Sequence, residues 1–365
     1  MAGRNNQSFN NNIEDLTSDI LIFSIFTCGP VILVGTFGNL SVIVVFFRKR
    51  HIRTTSNYFM VALMFSVAWV NMVAYPMQAM CDVFLIVTQP MCYLAGMASI
   101  MSSLFMTLSL LATTVERYIT ICQPLTAHTI ITPRRAVTII SFLAFYGVLL
   151  GSGFFGTVWI GKGELWRQTR RCNFNFMMPS TIMVQFILGH WMLPLPVMIF
   201  IHLHIFLTVR RHIRAIAAVQ CGTIVRSPVG EDPVGLQRGG QGIILARDGQ
   251  RSAHSRLMKE ARSAMRLALV IAVHIFNWVP FTVFLLTGVL RSENISPKQY
   301  ILVHSFAYST GLVCPYIYGF GNKSIRTEIQ AMLCGKLTNC TTSTRDPRAH
   351  RIAAITTGLP RQFTM

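Results

Sequence analysis

The sequence predicts an all-α membrane protein, a bundle of seven transmembrane helices, and three observations predict it. First, 52% of the 365 residues are hydrophobic and 12% are charged, with a mean hydropathy of +0.49, too apolar for an ordinary soluble domain. Second, seven stretches without Asp, Glu, Lys or Arg (20–47, 54–81, 83–115, 136–161, 172–209, 267–290 and 299–322) each run at least 24 residues. A helix crosses the hydrocarbon of a bilayer in roughly 20 apolar residues. In a layer without water it satisfies its own backbone N–H and C=O groups, so helices are the reading for runs this long. Third, with the N-terminus outside and sides alternating, 25 Lys/Arg fall in cytoplasmic segments and seven in outer ones. That asymmetry orients the chain with its N-terminus outside and its C-terminus in the cytoplasm, a multi-pass protein expected in the plasma membrane.

Along the chain, residues 1–19 read as a polar, Asn-rich extracellular tail without the features of a cleaved signal peptide, so the first helix is expected to direct its own insertion. Asn6, in Asn6-Gln7-Ser8, is a glycosylation acceptor on the outer side, and Asn294-Ile295-Ser296 is a second, closer to the membrane. The membrane domain spans 20–322. Within it, residues 118–133 are too short to cross and hold Gln123, Pro124, His128 and Pro133, so they read as a connection. Residues 213–256, approximately, turn Gly/Pro/Arg-rich (RSPVGEDPVGLQRGGQGIILARDGQR) and read as a flexible cytoplasmic loop. Residues 323–365 form the cytoplasmic end, where TNCTTSTR clusters hydroxyls.

The net charge of +19 is mostly this topology signal, a solvated face toward anionic lipid, and not a nucleic-acid surface. Nine Cys are spread singly without a CxxC metal pattern, and no metal or cofactor is expected. Cys92, opening the third helix, and Cys172, in the outer loop before the fifth, would share an oxidising compartment and could form a disulfide; Cys81, also near the outer face, is the competing partner. Cys334, just past the last helix, is a palmitoylation candidate.

The third apolar run ends in Glu116-Arg117-Tyr118, an acid and a base side by side at its cytoplasmic end. An ionisable residue at that depth needs a partner or water. Glu116 is one partner; Glu260, in KEARSAMR at the start of the sixth helix, is another. An Arg that pairs with Glu260 in one packing and releases it in another is a two-state element, whereas the bland alternative is an Arg snorkelling to the interface.

Several motifs in order, over essentially the whole membrane core, resemble the rhodopsin-like G-protein-coupled receptors. GTFGNLSV places Asn39 as the first-helix Asn, Glu116-Arg117-Tyr118 is similar to the acidic-Arg-aromatic triplet, and Cys92 lies 25 residues before Arg117, the family's spacing from its disulfide Cys. FNWVP resembles the sixth-helix Trp-x-Pro motif (Trp278, Pro280), CPYIY the seventh-helix Asn-Pro-x-x-Tyr motif (Pro315, Tyr318), and Pro194 fits the fifth-helix proline. GFGNKSIR then looks like the start of a short amphipathic eighth helix. The resemblance implies a receptor whose Arg117 faces a heterotrimeric G protein and is held by Glu116 and Glu260 when inactive, with arrestin and a receptor kinase as further partners. Each proline removes a backbone hydrogen bond and kinks its helix, and Trp278 is large enough to pass a ligand's contact into a tilt of helix six.

Departures from the family pattern are informative. Val67 stands where the second helix usually has an Asp, and Met106 and Cys314 stand where polar partners of that Asp occur, so a sodium site is not expected. His202 and His274 replace a fifth-helix Tyr and a sixth-helix Phe, which makes proton-dependent activity conceivable. Helix four lacks its Trp. The implied ligand pocket would be lined by Ser99, Ile100, Ser103, His190, Phe281, Thr282, His304 and Tyr308. Ser99 replaces the acid of amine receptors, and Tyr308 the retinal Lys of opsins. His190 four residues before Pro194 resembles the melatonin-receptor pattern, without identifying a ligand. A neutral small molecule, or a peptide steered by the Arg-rich RQTRRC loop, fits. An enzyme is not expected, since no paired intramembrane carboxylates, metal cluster or nucleophile with its base is seen. A transporter or channel would call for ionisable residues along a midplane path; a non-signalling decoy or scaffold is the other alternative.

Overall fold

The computed structural model describes residues 2–83, 88–161, 187–225, 236–291 and 297–337. It is a seven-helix transmembrane bundle without strands among those residues. Among the described residues six helices are long and apolar enough to cross a membrane: Ser18–Arg48, Thr55–Cys81, Gln89–Cys122, Pro133–Gly153, Leu188–Ala215 and Leu257–Thr287. The seventh crossing is divided into an α-helix Pro297–Tyr308, a short one Thr310–Cys314 and a π turn Pro315–Phe320. Stacked, these pieces span about 36 Å at the helical rise, enough for the hydrocarbon core.

The break has a local cause. Ser309 and Thr310 turn their hydroxyls back onto the carbonyls of Phe306 and Ala307 (2.7 and 3.1 Å), competing with the helical ladder. Pro315 has no N–H to give the carbonyl of Gly311, which instead accepts from Asn39 Nδ2 at 3.1 Å. The second crossing also widens into a π turn, Val70–Ala74, and the fifth begins with one, Ile187–Met192, ahead of Pro194 at the start of Pro194–Val225. After Asn322 an eighth helix, Lys323–Leu337, follows as expected.

Helix three, Gln89–Cys122, touches the second, fourth, fifth and sixth helices and forms the axis of the bundle. Helix four approaches it through Gly147 and Gly151, four residues apart on one face. A methyl on either would lie 3.2–3.3 Å from Met101, so glycine permits the close approach. The apolar core runs through Val67, Ile100, Leu104, Met106, Leu267, Trp278 and Cys314. Large side chains such as Phe26, Phe142, Phe200 and Phe276 face outward, as a lipid-facing surface requires.

The stretches expected as a tail and as a flexible loop contain helix among the described residues. The first helix begins at Ala2 and runs unbroken to Arg48, so residues 2–19, expected as an extracellular tail, continue the membrane helix. In the loop of about 213–256, the fifth helix extends to Val225 and the sixth runs from Leu236 to Arg291. The Ala/Ile/Arg-rich stretch up to Val225 favours helix, and the breakers Pro228 and Pro233 both fall between these ends.

Candidate functional site

At one end of the bundle the last turns of helix three meet the start of the apolar part of helix six. Arg117 Nη1 donates to Glu260 Oε2 at 2.9 Å, and Arg117 Nε lies 3.4 Å from Glu116 Oε2. The Arg117 and Glu116 side chains are 4% and 3% exposed, and that of Glu260 is 33% exposed. The guanidinium is thus out of solvent with an acid on each side, and one of those acids belongs to another helix. Both pairings expected from sequence are made.

Glu116 is itself held. Ser56 Oγ donates to Glu116 Oε1, and Thr120 Oγ1 donates to the same oxygen at 3.1 Å. Ser56 lies in the first turn of helix two, which starts at Thr55, where unpaired amides favour a nearby carboxylate. Sequence reasoning missed Ser56; its only signal was a run of small polar residues, TTSN, at a helix start. Tyr118 is half-buried and leans on His204, ring centroids 5.4 Å apart. Tyr318 lies in the seventh-helix π turn; its side chain falls outside the described residues.

Beside this cluster the eighth helix is tied to the first connection. Lys49 Nζ lies 2.8 Å from Glu328 Oε2 and His51 Nε2 3.6 Å from Glu328 Oε1. The hydrogen bond from Lys49 holds the Glu328 carboxyl below the usual carboxylate range, with the nearby charges of Lys49 and His51 acting the same way. Arg266, on helix six, donates to the carbonyl of Gly321.

At mid-depth, Asn39 Nδ2 bridges the carbonyls of Gly35 (2.7 Å) and Gly311 (3.1 Å), and Asn277 Nδ2 reaches Ser309 and Thr310 at 3.0 and 3.2 Å. Val67, Met106 and Cys314 are buried in apolar packing, as their residue types require. A further buried polar group of this level is Asn71, inside the π turn and missed by the sequence reading. It wedges between Gly35 and Gly311; a methyl on Gly311 would lie 2.6 Å from its amide. A lone Asn in the run VNMVA was the available signal.

Trp278 and His274 stack obliquely one turn apart, 5.7 Å between centroids. With Ser103, Thr107, Leu195 and Thr282 they line a cavity of about 10 Å³, room for about one water. Pro194 is buried and Pro280 faces out of the bundle.

Of the eight residues expected to line a ligand pocket, Ser99, Ile100, Ser103, Phe281, Thr282, His304 and Tyr308 are buried. Phe281, His304 and Tyr308 gather with Trp278 in one aromatic cluster, ring centroids 4.6–5.9 Å apart. Ser103 and Thr282 share the small cavity. His190 is turned toward helix four, its Nε2 3.2 Å from Tyr146 Oη. Tyr75 fills the cluster from helix two, stacked on Tyr308 at 4.6 Å.

Cys92 is disulfide-bonded, and Cys28, Cys81, Cys122 and Cys314 keep their thiols, which removes Cys81 as its partner. Cys172 lies outside the described residues. Asn6 and Cys334 lie on the first and last helices, and their side chains are likewise outside the description. Among the described residues no group of three His, Cys, Asp or Glu could hold a metal ion.

The family model described as 7 transmembrane receptor (rhodopsin family) matches residues 38–318. The 5-hydroxytryptamine receptor 4 of Cavia porcellus is 23% identical over 348 residues, covering 88% of this chain and 84% of that protein. The octopamine receptor beta-2R of Chilo suppressalis is 24% identical over 341 residues, covering 90% and 85%. The melanopsin of Branchiostoma belcheri is 23% identical over 307 residues, covering 81% of this chain and 40% of its own length.

Proposed function

Since the chain belongs to the rhodopsin family of seven-transmembrane receptors, we propose that it is a plasma-membrane receptor that activates a heterotrimeric G protein. In this reading the N-terminus is outside, and Arg117 marks the cytoplasmic end. A ligand bound between the helices at the opposite end shifts Trp278 and tilts helix six about Pro280. Glu260 then leaves Arg117, and the uncovered ends of helices three, five and six receive the G protein, promoting nucleotide exchange. The observation that carries this reading is the ion pair of Arg117 with Glu260, which ties helix three to helix six at one end of the bundle. A pair of this kind can be exchanged for a partner's backbone or side chain without disturbing the core.

The same face would serve arrestin, and the hydroxyls of TNCTTSTR a receptor kinase. The Cys92–Cys172 disulfide would pin the outer loop, Asn6 would carry a glycan and Cys334 an acyl chain. The ligand is a small molecule or a peptide. Two of the relatives are named for 5-hydroxytryptamine and octopamine. Ser99 in place of an acid argues that an amine would not be held here by a salt bridge, and Tyr308 in place of Lys that no retinal Schiff base forms.

The test is coupling to a panel of G proteins in cells, basally and against a ligand library, for wild type, Arg117→Ala and Glu260→Ala. Loss of Glu260 is expected to raise basal signalling and loss of Arg117 to impair it. No coupling under any condition at normal surface expression would overturn the proposal in favour of a decoy, a reading that the apolar Val67, Met106 and Cys314 favour.

A further inference from the structure

Cys122 and His204 meet between the ends of helices three and five. Cys122 is the last residue of helix three, so it stands about 7.5 Å beyond Arg117 at the helical rise. His204 lies on helix five, one and a half turns or so before Arg210, where the charge-free run 172–209 ends. The Cys122 sulfur is 3.9 Å from His204 Nδ1. The thiol is free and half-buried, and the imidazole is exposed. Tyr118 leans on the imidazole at 5.4 Å, and Thr208, one turn further along helix five, reaches the thiol. The neighbouring Ile121 and Ile205 are buried against Ala264 of helix six, which holds the backbone that carries both donors.

A separation of 3.9 Å is long for a hydrogen bond, but it suits two donors on one metal ion. Zinc binds thiolate sulfur at about 2.3 Å and imidazole nitrogen at about 2.0–2.1 Å. Two such donors stand about 3.5 Å apart at the tetrahedral angle and about 4.4 Å apart in line. The observed distance falls between these limits, so a small turn of either side chain closes the pair on an ion. Thiolate with imidazole is also a donor set that favours zinc over the hard, oxygen-seeking cations.

We propose that Cys122 and His204 form a zinc-binding site between helices three and five. Cys122 gives its proton to solvent as the sulfur–zinc bond forms, and His204 Nδ1 supplies its lone pair while Nε2 keeps the ring proton. Water fills the remaining positions. With two protein donors where a structural zinc has four, the ion is exchangeable. Once bound, it clasps helix three to helix five beside Tyr118.

The full-length chain in lipid nanodiscs tests this through alkylation by N-ethylmaleimide, read by mass spectrometry at the peptide that holds Cys122. Zinc at about ten times its dissociation constant leaves about a tenth of the thiols free, so titration to about 100 µM zinc is expected to slow the reaction about 10-fold. His204→Gln should lose that protection, and magnesium, which avoids thiolate, should give none in wild type. No slowing by zinc, equal slowing by magnesium, or full protection in the variant overturns the proposal. Should the variant not survive purification, modification of His204 by diethyl pyrocarbonate is followed in wild type instead; slowing by zinc supports the site and its absence overturns it. The site stands on its two donors alone: its failure leaves the receptor reading in place, and a chain that never couples would still show the protection.

Discussion

Replacing Glu260 by Gln removes one charge and almost no volume, so its effect isolates the ion pair with Arg117. The pair is 2.9 Å long, with Arg117 4% and Glu260 33% exposed. A fully exposed pair contributes about 0–1 kcal/mol, and breaking a fully buried one costs about 3–5 kcal/mol. Here one partner remains a third exposed, and Arg117 keeps Glu116 at 3.4 Å after the change. Discounting for both, the inactive packing should lose about 1–2 kcal/mol. That is a shift of roughly 5–30-fold in the ratio of active to inactive receptor. If the resting active fraction lies in the ordinary range of about 0.1–10%, basal signalling has room to rise by much of that factor. The assay is basal nucleotide exchange on a purified G protein by receptor in nanodiscs, at matched receptor amounts. Unchanged or reduced basal exchange in a normally folded Glu260→Gln variant would refute the reasoning, because the pair would then not distinguish the two states.

Three other outcomes follow from the geometry. Ser56→Ala removes a donor to Glu116 and should lower receptor stability by about 1 kcal/mol, read as a fall of a few degrees in the unfolding midpoint; no change would mean that Thr120 suffices. Gly311→Ala places a methyl 2.6 Å from the Asn71 amide. It should cost about 1–3 kcal/mol, visible as reduced surface expression, with Asn71→Ala in the same chain restoring part of the loss. Acidification should release the eighth helix: Glu328 titrates below its ordinary range, so its tie to Lys49 is complete at neutral pH and is lost as pH falls through that lowered value. Amide exchange over Lys323–Leu337 should rise at acid pH in wild type, and Glu328→Gln should show the faster exchange at neutral pH.

The seven crossings were legible because lipid forbids charge over long runs, and the charge-free stretches therefore mark the helices directly. Arg117 and its two acids were legible for the converse reason: charge beside so much apolar sequence must be paired. What remained hidden is tertiary. Ser56 is an ordinary helix-start serine until helix three brings Glu116 over it. Asn71 is one polar residue in an apolar run, and only the packing of Gly35 and Gly311 shows why nothing larger than hydrogen faces it. Of the residues expected to line a pocket, Phe281, His304 and Tyr308 fall in one ring cluster, but their spacing could not reveal that Tyr75 stacks on Tyr308 from helix two. The tail reading of 1–19 and the loop reading of 213–256 rested on composition, which underweights how readily a helix continues past the membrane.

The wide turns at Val70–Ala74, Ile187–Met192 and Pro315–Phe320 give the bundle slack along three of its staves. Each winds in one residue more than a regular coil would, seen directly where the amides of Leu193 and Gly321 reach back five residues to Leu188 and Tyr316, at 3.0 Å each. Rewinding one of them to ordinary pitch hands that residue on, advancing the neighbouring half-helix by about 1.5 Å and rotating it by about 100°. Such a rod moves like a screw in its thread, and its two halves can change their facing without either being unwound.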